Sequence, residues 1–375
     1  MKQNLKIALV HEYLTRLGGA ERVLKHLLDI YPKADIYTLL YNQDKVSSVF
    51  PPDKIKASFV NAFPNWLKSK VKFLAPIFPS AIESLDLSQY DVVISSTNSF
   101  AKGVITKPKS IHIAYCHAPA TFLWNAFHSY RKQQRKGGFG NFMILLLTHY
   151  LRQWDRQAAD RVDYFIANSK LTQDRIKKYY RKDSVVIYPP VDVERLRPTK
   201  DHKDYFLIVS QLTQYKNIDI AIEAFNKINL PLVVIGDGPE RKRLQKLAGP
   251  NVEIKGFLYD ETTVEYYQNC RAFIFAGSDD FGIAPVEAMA AGKPVLALRD
   301  GGALETIIEG KTGEFFDAPI IELLADGVRR ITEKNYDYKF IRKHAEQFST
   351  SVFINNIEKY INKTIETNNN DKSAS

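Results

Sequence analysis

Between Ser278 and Val295 the chain reads SDDFGIAPVEAMAAGKPV, a spacing with legible chemistry. Pro285 suits the first turn of a helix, where its missing N–H costs no hydrogen bond, and Gly292 with Pro294 marks the end of that helix. The amides of Gly282, Ile283 and Ala284 then lie at the helix N-terminus without intrahelical acceptors, which makes a site for phosphate oxygens. Glu287, expected in the first turn, could accept hydrogen bonds from the vicinal hydroxyls of a ribose. Asp279, in the loop ahead, could do the same for a second polyol. Singly, Glu287 could merely complement the helix dipole and the glycines could be ordinary turns. Together they describe a binding site.

Other residues could join it. Lys216 ends the string SQLTQYK that begins at Ser210, just after an apolar run. His117 follows the apolar run Ser110 to Tyr115; a structural hydrogen-bonding role and a ligand contact are both open to it. Gly18-Gly19 is either a tight turn or a place where backbone amides approach a ligand. Gly236-Asp237-Gly238-Pro239 is too short for a dinucleotide fingerprint and reads alone as a turn.

These residues need strands and helices to hold them. Leu5 to Val10 is a buried-strand pattern that ends in a polar turn, and helical apolar spacing begins at Gly18 to Leu24. Asp91 to Ile94, Ser110 to Tyr115 and Tyr164 to Ala167 repeat the grammar of apolar run and then polar loop. After a polar stretch from Arg197 to Asp204, read as a linker, a second series begins: Tyr205 to Val209, Leu232 to Ile235, Val252 to Ile254, Ala272 to Phe275 and Pro294 to Leu298. Strands alternating with helices imply parallel sheets, whose ligands sit beyond the carboxyl ends of the strands. The expected organisation is an α/β fold with one doubly wound domain over 1–198, a second over 199–347, a helix over 348–365 that crosses back to the first domain, and a disordered tail over 366–375.

At 375 residues the chain exceeds what one core usually serves. With 45% hydrophobic and 25% charged residues, disorder, collagen and coiled coil are excluded as overall descriptions. Fifty-two basic residues against 42 acidic ones give net +10, which favours anionic partners. Nucleic acid is not expected among them, because neither a binding module nor a regular basic helix is present. The two cysteines, Cys116 and Cys270, lack the spacing of a disulfide framework or a zinc site, so a reducing cytosol is expected. Neither a signal peptide nor a spanning helix is legible. Phe142 to Leu147, with Arg131, Lys132, Arg135 and Lys136 before it, reads as a helix packed on its domain behind a basic loop; peripheral contact with an anionic membrane is the alternative.

The string around Asp279 resembles the donor-site signature of the family 4 retaining glycosyltransferases, two glutamates with seven residues between them. Asp279 stands at the first and Glu287 fits the second. The resemblance extends from the Gly18-Gly19 loop to the turn from Gly301 to Glu305. Tyr115-Cys116-His117-Ala118-Pro119, Trp154-Asp155-Arg156, Ile166 to Ser169, Tyr188 to Asp192 and Ile235 to Glu240 are similar to a bacterial subgroup of O-antigen and exopolysaccharide mannosyltransferases. It implies the GT-B architecture, two Rossmann-like domains facing across a cleft. It also implies transfer of a hexose, mannose from GDP-mannose being favoured, to a lipid-linked saccharide or polysaccharide, at the cytoplasmic side of the membrane. No cofactor and no metal are implied, so a metal at Asp279-Asp280 is the weaker reading.

The resemblance gives His117, Lys216 and Asp279 catalytic roles. It places Gly18, Gly19, Gln211, Lys216, Gly236, Gly238, Phe257, Gly282, Ile283, Ala284 and Glu287 around the donor, with Gly256-Phe257-Leu258 reading the nucleobase through its backbone. The family holds the diphosphate with an arginine and a lysine five residues apart. Lys216 matches the lysine, but Gln211 replaces the arginine, and an amide lacks the charged fork of guanidinium. Asn98, Thr121 and Asn125 also replace ionisable groups of the subgroup, and Asp279 is one methylene shorter. These five departures motivate an alternative, a weak or inactive homologue serving as a nucleotide-sugar- or glycan-binding subunit.

Overall fold

The apolar runs become strands, and the computed structural model describes them within residues 5–68, 71–125, 127, 138–258 and 260–374. The backbone divides into two units, Met1–Ile187 with Ile354–Ser375, and Tyr188–Phe353. In the first unit β1 (Ile7–Leu14), β2 (Asp35–Tyr41), β3 (Ile55–Ala57), β4 (Val92–Thr97), β5 (Ile111–Cys116), β6 (Tyr164–Ala167) and β7 (Ser184–Val186) lie parallel in the order β3-β2-β1-β4-β5-β6-β7. In the second, β8 (Phe206–Val209), β9 (Leu232–Ile235), β10 (Val252–Gly256), β11 (Ala272–Phe275), β12 (Val295–Leu298) and β13 (Gly313–Phe316) lie parallel as β10-β9-β8-β11-β12-β13. Both orders reverse once, between β1 and β4 and between β8 and β11. Such a reversal leaves a crevice beyond the strand ends where ligands bind.

The second sheet shows why continuous apolar runs make its strands. Leu207, Val233, Phe273 and Val295 enter one buried cluster, and their neighbours Phe206, Val234, Ile274 and Leu296 enter another. Side chains alternate across a strand, so a sheet covered on both faces needs apolar residues at nearly every position. In the first unit one core gathers Val10, Leu39, Phe78, Val93, Phe100 and Trp154. Helix Gly19–Ile30 turns Val23, Leu24, Leu27 and Leu28 inward, the stripe of an amphipathic helix. Ser169 starts helix Lys170–Tyr180 by accepting from the Thr172 amide at 3.1 Å, and Arg181, at φ 55°, ends it.

Several expectations change. His11 and Glu12 continue β1, and Ser95 to Thr97 continue β4, because these polar side chains have buried partners instead of forming a loop. The division between units falls at Ile187/Tyr188, not at 198, since Val191, Val193 and Leu196 belong to the second unit's core. The polar stretch after Arg197 is no free linker. Lys293 Nζ donates to the Thr199 and Asp201 carbonyls at 3.1 and 2.6 Å, and the Lys203 amide donates to Asn269 O. The final helix spans Thr350–Ala374, beyond the expected end at 365, and no Gly or Pro stands in that stretch to stop it. Its residues from Ile354 onward count with the first unit. Cys116 and Cys270 are both buried free thiols. No described helix is long and apolar enough to cross a membrane.

Candidate functional site

In the second unit, the loop after β8 and the loop after β11 bring two expected residues together. Lys216 Nζ bonds the Asp279 carboxylate, with Lys216 largely buried and its ammonium within 6 Å of the Tyr215 and Phe275 ring centres. Asp279 precedes helix Ile283–Ala290, whose N-cap Gly282 sits at φ +87° with no side-chain capping bond. The first amides of that helix are therefore available to oxygens of a ligand. Gly301-Gly302 backs the same loop: the Gly302 amide donates to Asp279 O at 2.8 Å.

Glu287 lies one turn deeper than expected, the fifth residue of its helix, and is buried. Arg195 Nη2 donates to one carboxylate oxygen at 2.5 Å and Tyr267 OH to the other at 2.9 Å. These two bonds fix the orientation of the carboxylate. The glycines of the Gly236–Gly238 turn serve close backbone approach. A Cβ on Gly236 would sit 1.8 Å from Ser210 O, and one on Gly238 would sit 2.3 Å from Leu212 O. They thus hold the turn against the loop that carries Gln211, whose side chain is exposed. Phe257, just past β10, is 71% exposed.

In the first unit the ends of β1, β4 and β5 converge on a buried polar cluster. His117 Nε2 lies 2.8 Å from Ser96 Oγ, which lies 3.2 Å from His11 Nδ1. His11 Nδ1 is also 3.2 Å from the Ser96 carbonyl, and its Nε2 is 3.5 Å from Glu21 Oε1. Gly18 caps helix Gly19–Ile30 right beside this carboxylate; a Cβ there would lie 2.9 Å from Glu21 Oε2. Gly18 thus borders the network that ends at His117. Burial opposes charge on His11, but Glu21, with help from Glu12 and the Ser96 carbonyl, outweighs it and raises the pKa. Burial likewise opposes charge on Glu21, and His11 reverses this and lowers its pKa. For His117 burial dominates, the charge on His11 adds to it, and the pKa falls to about 4. Burial thus favours the neutral form of His117, while its acidic neighbours favour the charged form of His11.

Glu12 does something else. Its carboxylate accepts from Thr97 Oγ1 and from the amides of Asn98, Ser99 and Ala101 at 2.7 to 3.1 Å, fixing the loop after β4. Asp155 plays a comparable part, bonded to Lys102, to Trp124 Nε1 at 2.8 Å and to Tyr180 OH at 2.9 Å. Sequence reasoning missed His11, Glu12, Glu21, Ser96, Arg195 and Tyr267. The available signal was an adjacent histidine and glutamate at the end of a buried strand. Asn98 and Asn125 are exposed, and Thr121 is half-buried. Arg131, Lys132, Arg135 and Lys136 lie outside the described residues.

Comparison with known proteins supplies the remaining observation. Residues 17–195 match the model "Glycosyltransferase Family 4", and residues 192–349 match "Glycosyl transferases group 1". An uncharacterised glycosyltransferase of Methanocaldococcus jannaschii is 29% identical over 43% of this chain and 47% of its own length. The α-1,3/1,6-mannosyltransferase of Schizosaccharomyces pombe is 26% identical over 83% of this chain and 71% of its own. A GDP-mannose-dependent α-mannosyltransferase of Corynebacterium glutamicum is 26% identical over 44% and 43%. The chain thus spans about half the length of the archaeal and corynebacterial relatives. The Anabaena protein HepE, solved in complex with UDP, superposes with a TM-score of 0.70 at 16% identity, covering 96% of this chain and all of that one. With a family 4 model on its first part, a group 1 model on its second, and the two doubly wound sheets of the GT-B fold, the chain belongs to the glycosyltransferases.

Proposed function

We propose that this glycosyltransferase moves a hexose, mannose from GDP-mannose, to a hydroxyl of a lipid-linked saccharide or polysaccharide, retaining anomeric configuration and using no metal ion. The observation that carries the reading is the Lys216–Asp279 pair just ahead of the helix that begins at Ile283. It sets a cation, a carboxylate and free amides side by side, the groups that a diphosphate bonded to a sugar requires. Lys216 exchanges Asp279 for phosphate oxygens, and the amides of Gly282 to Ala284 share the charge that grows on the leaving diphosphate. Asp279, released, takes sugar hydroxyls. Glu287, oriented by Arg195 and Tyr267, takes the ribose hydroxyls, and His117 contacts the sugar. The bond from the anomeric carbon to the diphosphate breaks as the acceptor oxygen bonds that carbon on the same face, and the leaving phosphate takes the acceptor's proton.

Relatives named for α-mannosyl transfer and for GDP-mannose support the choice of sugar and base. A thermal-shift titration with GDP and UDP, with and without magnesium, tests it first, since a ligand of the native state raises the melting temperature. GDP is expected to shift it without magnesium, and GDP-mannose is then expected to turn over. A shift by UDP alone overturns the donor, and a strict need for magnesium overturns the metal-free mechanism. Binding without turnover favours the subunit reading, which reversion by Gln211→Arg with Asp279→Glu then tests.

The proposal extends to contact with the inner face of an anionic membrane. On helix Gly138–Asp160, Leu151 is buried while Phe142, Met143, Leu146 and Tyr150 are exposed. Cosedimentation with anionic vesicles at low salt is expected, and its absence removes this part.

A further inference from the structure

The hydrogen-bond chain in the first unit has a direction. His11 faces two groups that can only accept, the Glu21 carboxylate at 3.5 Å and the Ser96 carbonyl at 3.2 Å. Both of its nitrogens therefore carry protons, and it is an imidazolium. Ser96 Oγ, 3.2 Å from His11 Nδ1, accepts there and has a single proton to give. That proton points along the 2.8 Å contact to His117 Nε2. Nε2 must then be the acceptor nitrogen of a neutral ring, which leaves the ring proton on Nδ1. Nδ1 has no hydrogen-bond partner among the described residues.

We propose that Glu21, His11 and Ser96 are positioning residues that fix His117 as the neutral imidazole protonated on Nδ1, so that it meets the transferred sugar as an N–H donor and not as a base. The assignment rests on the reading that His117 faces the donor sugar; the chain itself does not. The surroundings agree. Glu12 and Glu21 are the acidic groups whose charge reaches His117, His11 is the cationic one, and Arg16 is the cation beside Glu21. The His117 backbone is fixed too, its amide on Thr97 O at 2.9 Å and its carbonyl on Thr172 Oγ1 at 3.3 Å, with the Tyr115 ring edge-on at 5.1 Å. Because burial, and after it the charge on His11, oppose a charge there, His117 stays neutral through the physiological range.

The test is nitrogen-15 NMR of the full chain labelled in histidine, in which two-bond correlations distinguish the tautomers. At about pH 6, His117 is expected to carry its proton on Nδ1 and His11 on both nitrogens. A wild-type His117 protonated on Nε2, or a His11 with a single proton, overturns the proposal whether or not the protein transfers mannose. Ser96→Ala is expected to mix the tautomers and lower kcat roughly tenfold with little change in donor KM, and Ser96→Thr to restore both. Ser95→Ala is the control. It removes a neighbouring buried serine–histidine bond, Ser95 Oγ to His112 Nε2 at 2.8 Å, and is expected to leave tautomer and kcat alone. Mixed tautomers with unchanged kcat in Ser96→Ala overturn the positioning role. Tautomers as expected in a chain without transferase activity leave the chain standing and refute the proposed function.

Discussion

Asp279 faces opposite demands with and without ligand. Its carboxylate bonds Lys216, the cation proposed for the diphosphate, so a nucleotide bound as proposed displaces it. Asp279→Asn is expected to tighten binding of GDP severalfold in calorimetric titration, because an anion leaves the phosphate site. The same change is expected to lower kcat about 10- to 100-fold, through loss of charged hydrogen bonds to the sugar. Weaker GDP binding in the variant would show that the pair preorganises Lys216 instead of competing for it. A second residue-scale consequence concerns acid. The His112 pKa is depressed to about 3 by burial, with Arg161 adding, and that of His117 to about 4. Below about pH 6.5 the unfolded chain binds protons at both positions that the folded chain refuses, so stability falls as pH drops toward 4. His11, whose pKa is raised, acts in the opposite sense, its contribution present in acid and lost as pH rises through its folded value. His112→Gln is expected to flatten the loss of melting temperature between about pH 6.5 and about pH 4, and an unchanged slope would contradict this assignment.

At the scale of elements, the turn after β12 acts as a template for the loop after β11. A Cβ on Gly302 would sit 2.3 Å from Phe281 O, and one on Gly301 would sit 2.4 Å from Asp279 O. Gly302→Ala must push the Asp279 loop away. The expected result is a stability loss of roughly 1–3 kcal/mol and a disproportionate fall in kcat/KM, read by denaturant titration and steady-state kinetics. The same scale separates what the sequence made legible from what it hid. β6, β9 and β11 stand where their apolar runs stand, because a strand buried on both faces leaves no other place for four consecutive apolar residues. β3 and β7 are three residues long, and β13 starts with glycine and buries Glu314, so no period declares them. β2 opens with Asp35 and carries a buried Thr38, whose hydroxyl reaches the Glu12 carbonyl. Asp279 and the helix start at Ile283 were readable as one local string, whereas Lys216, 63 positions earlier, was joined to them only by the family resemblance. Glu12 was not, since the amides it gathers come from 86 to 89 positions further along the chain. Arg195, 92 positions before Glu287, was hidden for the same reason.

At the scale of the molecule, Lys216, Asp279 and Glu287, the residues proposed for the donor, all lie in the second unit, and each unit has its own core. Scanning calorimetry is expected to resolve two transitions, with GDP raising the one that belongs to the second unit. A rise of the other transition alone would place the nucleotide elsewhere. The final helix supplies a companion experiment. Ile357 and Ile361 are fully buried, and they come from the part of that helix that counts with the first unit. Truncation after Phe353 is expected to cost that unit about 2–5 kcal/mol for each lost side chain and to leave the second transition nearly unmoved.

That helix also bears on how the protein is made. Synthesis runs from the N-terminal side, and the part of the first unit up to Ile187 leaves the ribosome before any of the second does. Its last piece, from Ile354, emerges only after the second unit is complete at Phe353. The half translated first is therefore the half finished last, and until the residues from Ile354 emerge it lacks the buried side chains of Ile357 and Ile361.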